Sequence, residues 1–229
     1  MKSSATPKAV LFDAYGTLLD VYSVGAQAET FFPDQGVALA NLWRDKQIEY
    51  TRLVTTSNDG EFYQDFWSLT LAALRYACKR LRLDLTIAKE TVLMQQYRLL
   101  KPFPENIGIL QALKAKGIPT GILSNGSPDM LNAAVRHAKM DELLDHVLSV
   151  DVLRQYKTSP KAYALGLVAT GLQASEILFV SCNAWDALAA TWFGYQTFWV
   201  NRYDLPFEEL GVRPTYTGNN LNDLLSLFN

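Results

Sequence analysis

The apolar run Ala9 to Phe12, closed at once by Asp13 and then by Gly16, is the feature that most limits the folds open to this chain. So short and continuous a run suits a strand buried on both faces of a parallel sheet, with a loop at its carboxyl end. In open α/β sheets such ends carry ligands and reactive groups. From about Val21 to Leu100 the pattern is helical throughout, with aromatic and apolar residues at helical spacing in Asn41 to Leu53 and again in Phe62 to Leu83. Asn58-Asp59-Gly60 marks a turn between them. Lys101-Pro102-Phe103-Pro104 then breaks the pattern, and the remainder alternates strands with helices. Strands are predicted over Thr120 to Leu123, Val147 to Val150, Ile177 to Val180 and Thr197 to Val200. Gly117 and Gly194 fall where a helix wants a left-handed cap before the next strand.

A length of 229 residues accommodates one substantial core plus an inserted accessory layer. Apolar residues make up 49% and are spread along the chain, as in an ordinary folded protein. The formal charge of −2 offers no basic face for nucleic acid, and Lys79, Arg80 and Arg82 end a helical pattern, where cations complement the helix dipole. Cys78 and Cys182 are too far apart in sequence to suggest a disulfide framework or a zinc site, which points to a reducing, cytoplasmic setting. Met1 to Pro7 is short and polar, and the apolar run after it already carries Asp13, so neither a signal peptide nor a membrane span is expected.

Polar residues gather at the predicted strand ends. Asp13 and Thr17 follow the first strand, Ser124 and Asn125 the second, and Ser181, Asn183 and Asp186 the strand that starts at Ile177, with Lys157 between. Each alone suits turn or cap chemistry. A parallel sheet would bring them together, and turn chemistry does not account for a Lys and two carboxylates meeting there.

Val10-Leu11-Phe12-Asp13-Ala14-Tyr15-Gly16-Thr17-Leu18 resembles the first motif of the haloacid dehalogenase superfamily. Leu123-Ser124-Asn125-Gly126 resembles the second, Tyr156-Lys157 with Pro160 and Tyr163 the third, and Ser181-Cys182-Asn183-Ala184-Trp185-Asp186 the fourth. The resemblance spans the chain. It implies an α/β fold: a Rossmann-like parallel-sheet core with helices on both faces, formed by residues 1–20 and 101–229, and an inserted helical cap subdomain of residues 21–100.

Most members of that superfamily are phosphatases, which use magnesium and an acid-base Asp two residues after the nucleophile. Tyr15 stands at that place here, and a phenol with a pKa of about 10 is a poor substitute for a carboxylic acid. Asn183 replaces a carboxylate that helps hold magnesium, which leaves Asp13 and Asp186 as a meagre site for a hard cation. The reading is therefore of an enzyme without metal or other cofactor. Unaided by a metal, Asp13 would repel a phosphate dianion but not a carbon centre bearing halogen. The pattern Asp-x-Tyr-Gly-Thr with Ser-x-Asn-x-x-Asp resembles the L-2-haloacid dehalogenase subgroup, where an Arg of the first cap helix points into the site. Arg44, after Trp43, stands there.

The resemblance implies that Asp13 attacks C2 of a small (S)-2-haloalkanoic acid and forms an ester with inversion. Arg44 then stabilises the departing halide, with Asn125 as a second donor. Ser124 and the backbone N–H groups of Ala14 and Tyr15 would hold the substrate carboxylate, and Trp185 with cap aromatics would exclude water. Asp186 is the candidate base for hydrolysis of the ester, Asn183 orients the water, and Ser181 bonds Lys157 or Asp186. Lys157 keeps Asp13 ionised, while Thr17 and Tyr163 position these charges. Cys182 reads as a small buried filler, turned away from the site by strand alternation.

Two residues depart from the pattern: Thr158, where relatives often have Pro, and Asp45, where a neutral residue is expected. Asp45 would alter the cap entrance, the more so if it pairs with Arg44. A homodimer is expected from related enzymes and the aromatic-rich cap. The rival readings are a magnesium-dependent phosphatase or phosphonate hydrolase of the same fold, opposed by Tyr15 and Asn183, and a silent binding relative. The second has no reason to keep Asp13, Lys157 and Asp186 ionisable in one place.

Overall fold

In a computed structural model of the chain, residues 6–228 are described; Met1 to Ala5, part of the polar opening segment considered above, lie outside the described residues. β1 (Ala9–Phe12) is buried along its whole length. Four α-helices follow it directly: α1 (Val24–Phe31), α2 (Gly36–Thr56), α3 (Phe66–Leu81) and α4 (Ile87–Gln96). Then α5 (Asn106–Ala115) leads into β2 (Thr120–Ser124), α6 (Pro128–His137) into β3 (His146–Ser149), and α7 (Pro160–Thr170) into β4 (Ile177–Ser181). α8 (Ala184–Phe193), β5 (Gln196–Val200) and β6 (Tyr216–Gly218) complete the sheet.

The strand order is β3-β2-β1-β4-β5-β6 and every pairing is parallel. Sheet growth runs outward from β1 through β2 to β3, then restarts on the other side of β1 with β4. That reversal is the switch point beside which open α/β sheets bind ligands; β1 runs into Asp13 there, and β4 ends in Ser181. Both strands are apolar on both faces because helices cover both, so the first polar residues appear only where the strands leave the core.

The helical segment has its own apolar seam. α2 buries Leu39, Ala40, Trp43 and Ile48, and α3 buries Phe66, Leu69, Ala73, Leu74 and Ala77 on the facing side. Asp65 caps α3 by accepting from the Ser68 N–H at 2.7 Å. Lys79 and Arg80 occupy its last turn and Arg82 its left-handed cap, the dipole-complementing placement read from sequence. Asn58 and Asp59 take left-handed conformations, which makes the turn between α2 and α3. The segment leaves and rejoins the sheet layer side by side: Leu19 bridges Pro102, and the Asp20 N–H donates to the Lys101 carbonyl at 2.9 Å.

Gly117 and Gly194 adopt positive φ, +69° and +108°, as their cap positions require. The predicted strands fall within a residue of the observed ones. β6 was not predicted: it is a three-residue, half-buried edge strand, too short to show alternation. Among the described residues no helix is long and apolar enough to cross a membrane.

The orientation of α2 depends on a close approach to α1 at Gly36. A Cβ there would lie 2.5 Å from the Gly25 carbonyl oxygen and 2.7 Å from the Glu29 backbone nitrogen. Backbone cannot step aside as a side chain can, so Gly36→Ala is expected to destabilise by about 1–3 kcal/mol, the range for overpacking. A urea midpoint unchanged from wild type would show instead that α1 and α2 slide apart freely.

Candidate active site

Asp13 leaves β1 still within the ladder, its N–H donating to the Val180 carbonyl at 2.9 Å. The chain then tightens: the Ala14 carbonyl accepts from the N–H groups of Thr17, Leu18 and Leu19, and Gly16 takes φ +96°, a conformation that disfavours any side chain. This turn brings the Thr17 hydroxyl back to donate to Asp13 Oδ2 at 3.1 Å, while the Thr17 hydroxyl itself accepts the Cys182 N–H at 2.9 Å. Thr17 thus ties the end of β1 to the end of β4.

Around Asp13 the predicted residues converge. Lys157, with a fully buried side chain, donates from Nζ to Asp13 Oδ1 at 3.0 Å and to Asp186 Oδ2 at 2.8 Å. Asn183 Nδ2 donates to Asp13 Oδ2 at 2.8 Å. Asp186 also accepts from the Tyr163 hydroxyl at 2.7 Å and from the Ser181 hydroxyl at 3.1 Å. Of the two partners expected for Ser181, the structure selects Asp186. Burial alone would lower the Lys157 pKa, but Asp13 and Asp186 together hold it above the ordinary value. Burial raises the Asp186 pKa; Lys157 offsets part of the rise, and Asp13 adds to it.

α2 supplies the cation that closes the site from above. Arg44 donates to the Tyr15 carbonyl at 3.2 Å and to Asn183 Oδ1 at 3.5 Å, and its other terminal nitrogen is fixed by Gln47 Oε1 at 2.6 Å. Gln47 in turn donates to the Thr70 hydroxyl at 2.6 Å, and the Trp43 indole to the Thr70 carbonyl at 2.8 Å. Sequence reading missed Gln47 and Thr70. Their one signal was a polar residue within an otherwise apolar helix face, at Arg44 plus three. Asp45 lies exposed on the cleft wall, and the guanidinium hydrogen bonds go to Gln47, Tyr15 and Asn183.

At the end of β2, Ser124 is fully buried and accepts the Gly126 N–H at 3.1 Å. Asn125 uses its carbonyl to accept the Lys157 N–H at 2.9 Å, which orients the opposite, donor end of its amide elsewhere. Trp185 is half-buried and lines a cleft of about 640 Å³ together with Arg44 and Asn183, its ring covered by the Arg52 guanidinium. Cys182 corrects the sequence reading. It is half-buried and lines the same cleft, because β4 ends at Ser181 and strand alternation no longer governs the next residue.

A loop residue also missed from sequence, Arg202, clasps the whole turn. It donates to the Thr17 carbonyl at 3.3 Å and pairs with Glu105, while Asn106 donates to the carbonyls of Thr17 and Leu18.

The site thus holds a carboxylate at a switch point, a lysine bridging it to a second carboxylate, and a helical layer closing from above. Residues 7–194 match the model of the haloacid dehalogenase-like hydrolases, and the chain belongs to that family. It is 43% identical to the (S)-2-haloacid dehalogenase of Pseudomonas sp. (strain YL), over 96% of this chain and 94% of the relative. A solved L-2-haloacid dehalogenase superposes with a TM-score of 0.95 at 54% identity, covering 97% of this chain and 98% of the other. The L-2-haloacid dehalogenase from Xanthobacter autotrophicus with chloropropionic acid covalently bound matches at 34% identity and a TM-score of 0.88, covering 97% and 98%.

Proposed function

We propose that this chain hydrolyses small (S)-2-haloalkanoic acids to (R)-2-hydroxyalkanoic acids and halide through an ester on Asp13, without metal. The observation that carries the reading is the Asp13 carboxylate itself: both oxygens are held by donors from Lys157, Thr17 and Asn183, and Arg44 closes over the same face. A carboxylate so engaged is held in one orientation, and has little left to offer a divalent cation.

In the first step an Asp13 oxygen forms a bond to C2 while the carbon–halogen bond breaks, and the halide leaves with the bonding pair. Arg44, a permanent and weakly hydrated cation, meets the departing anion, and the donor end of Asn125 adds a hydrogen bond. Ser124 and the N–H groups of Ala14 and Tyr15 receive the substrate carboxylate, and Tyr15 and Trp185 wall the pocket. In the second step water adds to the Asp13 carboxyl carbon. Asn183 orients that water and Asp186 takes its proton, a task eased by burial that makes this carboxylate more basic. The ester bond to the Asp13 carbon then breaks, and the product alkoxide takes up the proton that Asp186 had accepted from the water, which restores both carboxylates. Ser181, Tyr163 and Thr17 hold the charges in place, and Lys157 stabilises Asp13 as it leaves the ester.

The test is halide release from S- and R-2-chloropropionate, with EDTA present throughout. Release from the S substrate alone supports the reading. Silence toward both, with magnesium-dependent turnover of a phosphomonoester, would replace it with the phosphatase reading. Arg44→Lys keeps the charge but loses the fork that reaches Gln47 and Tyr15 together, so kcat should fall by about 100-fold. Near-wild-type kcat in that variant would remove Arg44 from the halide step.

A further inference from the structure

The Tyr15 hydroxyl is buried and finds no hydrogen-bond partner among the described residues, although the hydroxyls of the buried Tyr156, Tyr163 and Tyr195 are all bonded. The ring is 2% exposed, packed against Phe66 and Tyr97 at centroid distances of 5.6 and 6.0 Å and against Gly126, where a Cβ would come within 3.0 Å of the hydroxyl oxygen. It therefore lies between the helical layer and the Asn125-Gly126 turn at the end of β2. Burial, with Asp13 and Tyr97 adding to it against Arg44, raises the phenol pKa, so the group is a permanent donor. Folding strips water from this O–H and gives it no acceptor, a cost that native structures seldom accept.

We propose that the acceptor is the halogen of the bound haloacid, and that Tyr15 is a catalytic residue that donates its hydroxyl proton in a hydrogen bond to the departing halide. The proposal rests on the dehalogenase reading. It also explains why a hydroxyl is kept where phenylalanine would pack as well against Phe66 and Tyr97: the unmet donor becomes satisfied only as charge develops on the leaving group, the condition for a group that accelerates the chemical step. No proton is transferred; the halide leaves as the anion, held by Tyr15, Arg44 and Asn125.

The experiment uses Tyr15→Phe, which retains the ring. Three readouts are compared with wild type: halide release from S-2-chloropropionate and S-2-bromopropionate, thermal midpoint, and the rise of that midpoint with added sodium chloride against sodium sulfate of equal ionic strength. The variant should lose kcat by about 10- to 100-fold on the chloro substrate, as for one hydrogen bond to a charged group, and less on the bromo substrate. Its midpoint should rise by about 2 °C or more, because an unsatisfied buried group is gone. Chloride-specific stabilisation should weaken. A variant that loses stability, or slows both substrates equally, shows a packing role and overturns the proposal; so does unchanged turnover. If wild type releases no halide at all, the dehalogenase reading fails, and the chloride arm still decides whether the hydroxyl meets an anion.

Discussion

Asp13→Asn should reduce halide release by about 10⁴-fold or more, the loss typical of removing a covalent nucleophile. The substitution is close to isosteric, and the remaining amide oxygen can keep either the Lys157 donor now on Oδ1 or the Thr17 and Asn183 donors now on Oδ2, so the fold should persist at some cost. Two measurements separate the cause from collapse: halide release, and the thermal midpoint. The amide has no charge to balance Lys157, so a modest fall in midpoint is compatible with the reading. Turnover within tenfold of wild type would remove Asp13 from the chemistry.

Lys157→Met should be the most destabilising change in the site. The ammonium is buried between two buried carboxylates, and deleting it leaves Asp13 and Asp186 facing each other without a cation. Breaking a buried ion pair from one side costs about 3–5 kcal/mol. The alkaline behaviour of the wild type gives a second check. Because the Lys157 pKa lies above its ordinary 10.5, the stability it contributes is present below that value and is lost as pH rises through the folded-state value. The stability gap between wild type and variant should therefore hold from neutral pH to about 10 and close above it. A gap that closes between pH 6 and 8 would mean that another group carries the dependence.

The sheet and the site were legible to different depths. Short apolar runs broken by polar residues are strong local signals, so β1, β2, β4 and the residues at their ends could be found from pattern alone. Asp13, Lys157, Asn183 and Asp186 lie up to 173 positions apart in number, yet one topological rule, that parallel strands deliver their carboxyl ends to one edge, suffices to gather them. Arg44 was reached only through resemblance, since a helix arginine beside an aspartate otherwise reads as a solvated charge. Gln47, Thr70 and Arg202 were not reached, because their roles depend on which helix face and which loop come to rest against the site. That information lies in tertiary packing. Cys182 shows the opposite limit: a periodicity rule was extended one residue past the end of its strand.

Because β1 occupies the middle of the sheet, its neighbours are made late. Val10 pairs with Thr120 and Ala9 with Ile177, so the emerging chain carries an apolar strand with no partner while more than a hundred further residues are added. At ribosomal rates of about 5–20 residues per second, that interval is roughly 5 to 20 s. During it a strand buried along its whole length in the finished enzyme is exposed and adhesive, and yields of active protein should depend on synthesis rate and on chaperones that shelter this strand more than on the final stability of the fold.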